Sequence, residues 1–251
     1  MKNNHFLSEN NSVVYYSHWL EISKQFPDGY FDYVIDDIPY GLNVSKMAFL
    51  KEKKTLVKQK NGTKCNFSRN ERDFSLKEWD LTPPTQEYFD EMKRISKHQI
   101  IFGVEYVNWK GLGSGRIRWN KGVAKGMNFK SYEMAYCSSI DYTHEINLLW
   151  SGMQQAGNLK EPMSPQGNKK LNEKRIHPCQ KPVLLYKKIA IDFDLKNKKI
   201  FCGHNGSGSD RIAFYKYCKE FVATENDIEH FLAQENRFET LKKANELILT
   251  F

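Results

Sequence analysis

Two apolar runs far apart in the chain each end in a turn of distinctive composition, and this pair restricts the fold most. Tyr33-Val34-Ile35 leads into Asp37-Ile38-Pro39-Tyr40, and Lys199-Ile200-Phe201-Cys202 leads into Gly206-Ser207-Gly208-Ser209. Short apolar runs bounded by turn residues are typical of strands buried in a parallel sheet. Because open α/β sheets bind ligands at the carboxyl ends of their strands, we expect both turns at one edge of one sheet.

The remaining chain alternates between strand-like and helix-like patterns. Strands are predicted at 13–16, 31–36, 99–103, 116–119, 132–138, 199–203 and 220–224. Helices are predicted at 19–26, 82–97, 182–191, 209–217 and after Asp227, which is placed to cap the last of them. This alternation favours a Rossmann-like α/β fold, with a mostly parallel twisted sheet and helices on both faces. A chain of 251 residues is long enough for one such domain, 1–251.

The turn at Asp37 combines groups that suit a planar base. The carboxylate can accept a hydrogen bond from an exocyclic amine, whose lone pair is otherwise delocalised into the ring, and the backbone carbonyl of Ile38 can accept another. Pro39 stiffens the turn, and the ring of Tyr40 can stack on a base. The Gly-Ser-Gly turn lets the backbone approach a cofactor closely. Together the two turns predict group transfer from a cofactor to a nucleobase; an ordinary strand-to-loop turn is the alternative for 37–40.

Three motifs resemble those of the β-class amino-group DNA methyltransferases, which use S-adenosylmethionine. Residues 37–40 resemble the family's Asp-Pro-Pro-Tyr catalytic motif, His177-Pro178-Cys179-Gln180-Lys181-Pro182 resembles its His-Pro-Thr-Gln-Lys-Pro motif, and 206–209 resemble its cofactor loop. Their order in the chain matches the β class, and the resemblance runs from about 13 to 238. It implies a methyltransferase fold, transfer of a methyl group to a base flipped out of double-stranded DNA, and catalytic roles for Asp37, Ile38, Pro39 and Tyr40.

The resemblance also implies a set of cofactor-binding residues. Glu225 ends the strand after the glycine loop, where an acid can bind ribose hydroxyls; capping of the next helix is the alternative. Lys181 is expected at the methionine carboxylate, with a solvated lysine as the alternative, and His177 is expected to be structural. The complete expected set is His18, Lys181, Cys202, His204, Gly206, Ser207, Gly208, Ser209 and Glu225.

The sequence departs from the family pattern at four positions. Ile38 replaces a proline but keeps its carbonyl, and Cys179 replaces a threonine. Cys202 and His18 stand where the family has carboxylates on the cofactor side. This loss keeps open a rival hypothesis, a degenerate methyltransferase that binds DNA without modifying it. The aspartate at 37 favours adenine as the target, and an amino-methyltransferase specific for cytosine is the other alternative.

Basic residues dominate the charge of the chain, with a net charge of +8 and a pI near 9.1. Such a balance favours a polyanionic partner. Residues 41–75 are predicted to form a mobile, DNA-contacting loop with a turn at Asn61-Gly62. Residues 111–176 are the candidate target-recognition region, whose polar part from 151 to 175 is alternatively a solvated linker. The predicted DNA-binding residues are Lys51, Lys53, Lys54, Lys58, Lys60, Lys169, Lys170, Lys174 and Arg175.

Other features bear on where the protein works. No apolar run approaches the ~20 residues that span a bilayer, and the polar residues 1–5 lack a secretory apolar region, so a cytoplasmic location is predicted. The five cysteines are scattered without a Cys-x-x-Cys pair, which indicates reduced thiols and neither a zinc site nor a disulfide framework. The sequence leaves open the recognition site, the choice between monomer and homodimer, and the existence of a nuclease partner.

Overall fold

The computed structural model describes residues 5–7, 12–42, 55–58, 64–67, 82–124, 130–177 and 179–248. Its strands are β1 (His5–Leu7), β2 (Ser12–Tyr16), β3 (Phe31–Asp37), β4 (Thr55–Lys58), β5 (Lys64–Phe67), β6 (Ser96–Phe102), β7 (Arg116–Asn120), β8 (Tyr132–Cys137), β9 (Thr143–Asn147), β10 (Trp150–Ser151), β11 (Gln154–Gln155), β12 (Lys199–Cys202) and β13 (Glu220–Glu225). Its α-helices are α1 (Trp19–Ser23), α2 (Gln86–Ile95), α3 (Val183–Asp192), α4 (Ser209–Phe214) and α5 (Ile228–Ile248).

One large sheet organises the molecule, in the strand order β1-β2-β13-β12-β3-β6-β8-β7-β9. The neighbouring strands β2, β13, β12, β3 and β6 are all parallel. Antiparallel pairing joins β1 to β2 and β8 to both β6 and β7, while β9 is parallel to β7. The predicted mostly parallel sheet is confirmed.

Helices cover both faces of this sheet, because side chains alternate along each central strand. In β3, Tyr33 and Ile35 pack into a core with residues of α3, α4 and α5, whereas Val34 packs into a second core with residues of α1 and α2. In β12, Ile200 and Phe201 divide between the two cores in the same way. The predicted Rossmann-like layering of helix, sheet and helix is therefore confirmed.

The winding of the chain reverses between β3 and β12. From β3 the chain passes through α2 to β6 on one side, and from β12 it passes through α4 to β13 on the other. The two strands are parallel neighbours, with Tyr33 opposite Ile200, so their carboxyl ends lie side by side. A crevice outside such ends, at a reversal of strand order, is the usual ligand site of open α/β sheets.

The predicted helices are all present: α1, α2 and α4 are shorter than expected, whereas α3 has the predicted length. α1 ends at Ser23 rather than near 26, and α4 ends at Phe214 rather than near 217. Asp227 caps α5, since its Oδ1 accepts from the backbone N–H of Glu229 at 2.9 Å and of His230 at 3.1 Å. Within the described ranges, no helix has both the length and the apolar character that a membrane crossing requires.

The basic segment 41–75 differs most from its prediction. Instead of an uninterrupted loop it contains the antiparallel pair β4 and β5, from Thr55 opposite Phe67 to Lys58 opposite Lys64. The prediction of a loop was wrong here because the lysines obscure short strand-forming runs, Leu56-Val57 and Cys65-Asn66-Phe67. The predicted turn at Asn61-Gly62 falls between the two strands but lies outside the described residues.

Candidate functional site

A cavity of about 430 Å³ opens at the carboxyl edge of β3, β12 and β13. The turn 37–40 lines it from β3, and His204 and Gly206 line it from the turn after β12. Glu225 borders it from the end of β13, and His18 from the start of α1. Motifs that are far apart in the sequence are thus brought to one concave site.

Asp37 is the central acid of this site and is the last residue of β3. Its Oδ1 accepts a 2.8 Å hydrogen bond from the hydroxyl of Tyr40 and forms an ion pair with Lys181. Its side chain is 19% exposed, and Oδ2 accepts no hydrogen bond from the described residues. One carboxylate oxygen is therefore held in place while the other is open to a ligand.

Three further charged residues complete a buried network, which we call the Asp37 cluster: Asp37, Lys181, Glu133 and Lys121. Lys181 Nζ lies 3.1 Å from Glu133 Oε2, and Lys121 Nζ lies 2.9 Å from Glu133 Oε1. The two acids and two cations balance in formal charge, which is the usual condition for burying ionised groups. Sequence reasoning missed Glu133 and Lys121, which lie on strand β8 and just after strand β7.

The environment of the cluster sets its charge states. Burial raises the pKa of Asp37, and the nearby Glu133 adds to this increase while Lys181 opposes it. Burial also acts to raise the pKa of Glu133, but Lys181 and Lys121 outweigh it and hold that pKa at about 2. Burial acts to lower the pKa of Lys181, yet Asp37 and Glu133 raise it above its usual value. Lys181 and Glu133 are therefore charged at neutral pH.

The position of Lys181 corrects one alternative. The alternative of a solvated lysine is wrong, because the side chain of Lys181 is only 4% exposed. Its ammonium contacts Asp37, Glu133 and the hydroxyl oxygen of Tyr40, the last at 2.8 Å. These contacts place it at the turn 37–40 rather than at the glycine loop, where a methionine carboxylate is expected.

The ring of Tyr40 is held between the ring of Tyr106 and the backbone of Gly103. It stacks on Tyr106 with 4.7 Å between centroids and 15° between planes. Gly103 has φ +90, and a Cβ atom there would lie 2.6 Å from Cδ1 of Tyr40 and 2.9 Å from Cγ1 of Ile38. Glycine is required at this position, because both its backbone conformation and the adjacent ring exclude a side chain.

A second buried ion pair lies beside the first. Asp36 is 1% exposed, and its carboxylate accepts a hydrogen bond from the hydroxyl of Tyr88. The same carboxylate lies 2.9 Å from Nδ1 of His204 and accepts from the backbone N–H of His204 at 3.0 Å. Sequence reasoning missed Asp36, although an acid inside an apolar strand is itself a signal, since such a group needs a buried partner.

Each member of this pair changes the pKa of the other. Burial acts to raise the pKa of Asp36, but the charge and hydrogen bonds of His204 and the hydroxyl of Tyr88 lower it below its usual value. Burial acts to lower the pKa of His204, but Asp36 outweighs it, so the pKa of His204 is raised. The pair therefore favours a charged imidazolium on the cavity wall.

Glu225 fixes the shape of the glycine loop. Its Oε2 accepts from the backbone N–H of Gly206 and its Oε1 from that of Asp227, both at 2.8 Å. Burial raises the pKa of Glu225. Asp227 is the direct cap of α5, and Glu225 supports the same helix start through the N–H of Asp227, which agrees in part with the capping alternative. Its contribution to ribose binding stays a prediction.

Some residues expected at the cofactor do not border the cavity: Lys181, Cys202, Ser207, Gly208 and Ser209. Arg237, from α5, donates to the carbonyl of Ser207 at 2.7 Å and to Oγ of Ser209 at 3.0 Å. Cys202 is 1% exposed, with its thiol 3.5 Å from Asp36. Ser207 and Ser209 are thus held from the α5 side, while Lys181 and Cys202 contact the two acids at the end of β3.

The cavity also has lining residues that sequence reasoning did not assign to it. They include Trp19, Pro83, Pro84, His177, Cys179 and His230. The ring centroids of His177 and His230 lie 4.4 Å apart, with 67° between the ring planes. His177 and Cys179 belong to the 177–182 motif, whereas the other four come from other stretches of the chain, so no local pattern identified the whole set as neighbours.

The predicted DNA-binding residues divide into two groups. Lys51, Lys53, Lys54 and Lys60 lie outside the described residues, and for Lys58 only the backbone of β4 is described. Lys169, Lys170 and Lys174 are exposed. Arg175 instead lies 4.3 Å above the ring of Trp150 and donates to the carbonyl of Gly152 at 3.1 Å. That contact ties the end of the 151–175 segment back to its beginning; the target-recognition role of this segment and the linker alternative both stay predictions.

Comparisons with known proteins give a limited picture. No family model matches the sequence, and no curated protein matches it. Among solved structures, M1.HpyAVI in complex with SAM aligns at 15% identity and a TM-score of 0.49, over 89% of this chain and 98% of that one. PvuII DNA methyltransferase, described as cytosine-N4-specific, aligns at 12% identity and a TM-score of 0.48, over 91% and 86%. Likenesses of this size establish neither a family nor an activity.

Proposed function

We propose that this protein is a DNA methyltransferase that transfers a methyl group from S-adenosylmethionine to the exocyclic amino group of a flipped-out adenine. One observation carries the proposal. The turn 37–40, Gly206 of the glycine turn and Glu225 at the end of β13 line a single cavity, at the point where the sheet reverses its winding. A base-binding motif and a cofactor-type loop in one crevice are what group transfer requires.

The residues present fit the cofactor. A volume of about 430 Å³ lies within the range of small-molecule sites. Glu225 offers a carboxylate for ribose hydroxyls, and Gly206, at φ +52, exposes backbone at the cavity wall. Trp19 and Ile38 supply apolar surface for a planar ring. When bound, S-adenosylmethionine supplies a methyl group activated by a sulfonium.

The turn 37–40 supplies the groups that act on the base. Oδ2 of Asp37 is open to an amine hydrogen, and the backbone carbonyl of Ile38 can accept the second. Drawing both hydrogens into such bonds releases the amine lone pair from the ring and makes it a better nucleophile. Because burial raises the pKa of Asp37, its carboxylate is also a stronger acceptor than a solvated one.

Support for DNA as the substrate comes from charge. The net charge of +8 and the exposed lysines at 169, 170 and 174 suit a phosphate backbone. The target amine of a duplex is reachable only when its base leaves the stack. Adenine is proposed over cytosine because residue 37 is an aspartate, as in the adenine form of the motif.

Product analysis tests this proposal. Duplex DNA is incubated with the protein and S-adenosylmethionine carrying a labelled methyl group, then digested to nucleosides and analysed by mass spectrometry. We expect labelled N6-methyl-2′-deoxyadenosine from the wild type and none from Asp37→Asn. Labelled N4-methyl-2′-deoxycytidine instead would mean that the target base is cytosine. DNA binding without any binding of S-adenosylmethionine in calorimetry would instead support the silent DNA-binding protein.

A further inference from the structure

His204 is the lining residue whose role the proposed function leaves unexplained. Its Nδ1 lies against the buried Asp36, and its side chain lines the cavity and is 19% exposed. Nε2, on the opposite edge of the ring, has no hydrogen-bond partner among the described residues. A fixed imidazole with one nitrogen turned toward a ligand cavity is an oriented donor.

A carboxylate is the ligand group that such a donor fits. The methionine part of the cofactor ends in one, and Lys181, the cation expected for it, is engaged by Asp37 and Glu133. We propose that His204, held by Asp36, binds the methionine carboxylate of the cofactor. This inference rests on the proposed function and assigns the end of the cavity at which the amino-acid part lies.

The surroundings of His204 agree with this assignment. The charged or titratable groups that act on it are Asp36, Tyr88, His18, Glu225 and Asp37. Asp37 already has Lys181, and Glu225 already accepts two backbone N–H groups. Burial and the charge of His204 lower the pKa of His18, which leaves that neighbour neutral. The imidazolium of His204 is thus available to an incoming anion.

Calorimetry at pH 7 with two ligands tests the contact between His204 and the methionine carboxylate. S-adenosylhomocysteine has the carboxylate, 5′-methylthioadenosine lacks the whole amino-acid part, and neither can transfer a methyl group. We expect His204→Gln to weaken S-adenosylhomocysteine binding by about 10-fold or more, the range of a charged hydrogen bond, and to change 5′-methylthioadenosine binding less than about twofold. His98→Gln is the matched control, because His98 lies on β6 and does not line the cavity.

An NMR titration of the wild type avoids any question of folding. Bound S-adenosylhomocysteine should raise the pKa of His204 further, whereas 5′-methylthioadenosine should not. Affinity for S-adenosylhomocysteine should accordingly fall as the pH rises through the pKa of His204. Equal losses for both ligands in His204→Gln, or a pKa of His204 unmoved by S-adenosylhomocysteine, would overturn the inference alone. A wild type that binds neither ligand would overturn the proposed function with it.

Discussion

At the scale of residues, two consecutive acids in β3 serve opposite faces of the sheet. Asp36 points to the α2 side, where it meets Tyr88 and His204, and Asp37 points to Lys181. The alternation of a strand separates neighbours in this way. Each acid has its own cation, so neither ion pair depends on the other for charge balance.

The first prediction concerns Asp37→Asn. The amide keeps the shape but is a weaker acceptor, and it donates where the carboxylate accepts. We expect single-turnover methyl transfer to fall on the order of 100-fold or more, with DNA affinity unchanged, because phosphate contacts dominate affinity. Asp141→Asn, at an exposed position, is the control. A rate within a few-fold of wild type would remove Asp37 from catalysis.

A second prediction concerns Glu133, whose pKa of about 2 lies below its usual value. Because folding lowers this pKa, the ionised Glu133 stabilises the fold fully above about pH 4.5. This stabilisation is lost as the pH falls toward the folded-state pKa. Glu133→Gln should therefore lower the free energy of unfolding at pH 7 by about 3 kcal/mol, the cost of breaking a buried pair. The difference from wild type should shrink between pH 4.5 and 3, as measured by urea unfolding.

Glu145→Gln provides the comparison for this measurement. Glu145 also pairs with a basic residue, Arg118 at 3.4 Å, but both side chains are about half exposed. Exposed pairs contribute about 1 kcal/mol or less. If the two substitutions destabilised equally, or if the effect of Glu133→Gln did not depend on pH, the buried cluster would not have the charges assigned to it.

At the scale of elements, the turn after β6 shapes the site although it does not line the cavity. Gly103 takes a left-handed conformation there, and the 3₁₀ helix Val104–Tyr106 follows at once. This brings Tyr106 onto the ring of Tyr40, while the bare backbone of Gly103 leaves room for that ring. One strand end thus positions the aromatic residue of another.

Gly103→Ala is the third prediction. Left-handed strain of about 1–2 kcal/mol should combine with overpacking of about 1–3 kcal/mol against Tyr40, and methyl transfer should fall as the ring is displaced. Gly29→Ala is the matched control, since Gly29 has φ +65 but nothing within 4 Å of an added Cβ. Thermal and urea unfolding should show the larger loss at 103. Equal losses would mean that the ring moves aside freely.

Elements with strong local patterns were predictable from the sequence, and contacts across the fold were not. The runs at 31–36 and 220–224 became β3 and β13, and the turn 37–40 does border the cavity. β9, with the sequence Thr-His-Glu-Ile-Asn, was missed because its polar residues hide an edge strand. Glu133 resembled a surface residue of an alternating strand, and only pairing with Lys121 and Lys181 makes it a buried charge.

At the scale of the whole molecule, the cavity lies at the carboxyl ends of the parallel strands, and the amino ends lie on the opposite side of the sheet. Lys169 and Lys170 belong to the same segment as Glu173, whose carboxylate accepts a hydrogen bond from the first N–H of α3 at 2.9 Å. This contact places the segment at the carboxyl ends of the strands, on the side of the cavity. Lys196 and Lys219 precede β12 and β13, at the opposite edge. All four lysines are exposed, so replacing either pair removes the same charge from a different part of the surface.

The fourth prediction uses this difference. Replacing Lys169 and Lys170 with alanine should reduce the slope of log affinity for duplex DNA against log salt by about 0.9 for each lost phosphate contact. The Lys196 and Lys219 double substitution should leave the slope nearly unchanged. Fluorescence anisotropy at several salt concentrations measures both. Identical slopes for the two variants would mean that net charge, and not this edge of the sheet, attracts the DNA.

The ion pair between Asp36 and His204 joins residues 168 positions apart, and this separation has a consequence for synthesis. When β3 and β6 have been synthesised, β12 is still missing. The edge of β3 therefore stays unpaired, and Asp36 lacks its partner His204, until the last fifth of the polypeptide has been made. Contacts of such long range form late, and unpaired strand edges invite aggregation meanwhile. We expect products truncated before Lys199 to be degraded or aggregated rather than partly active.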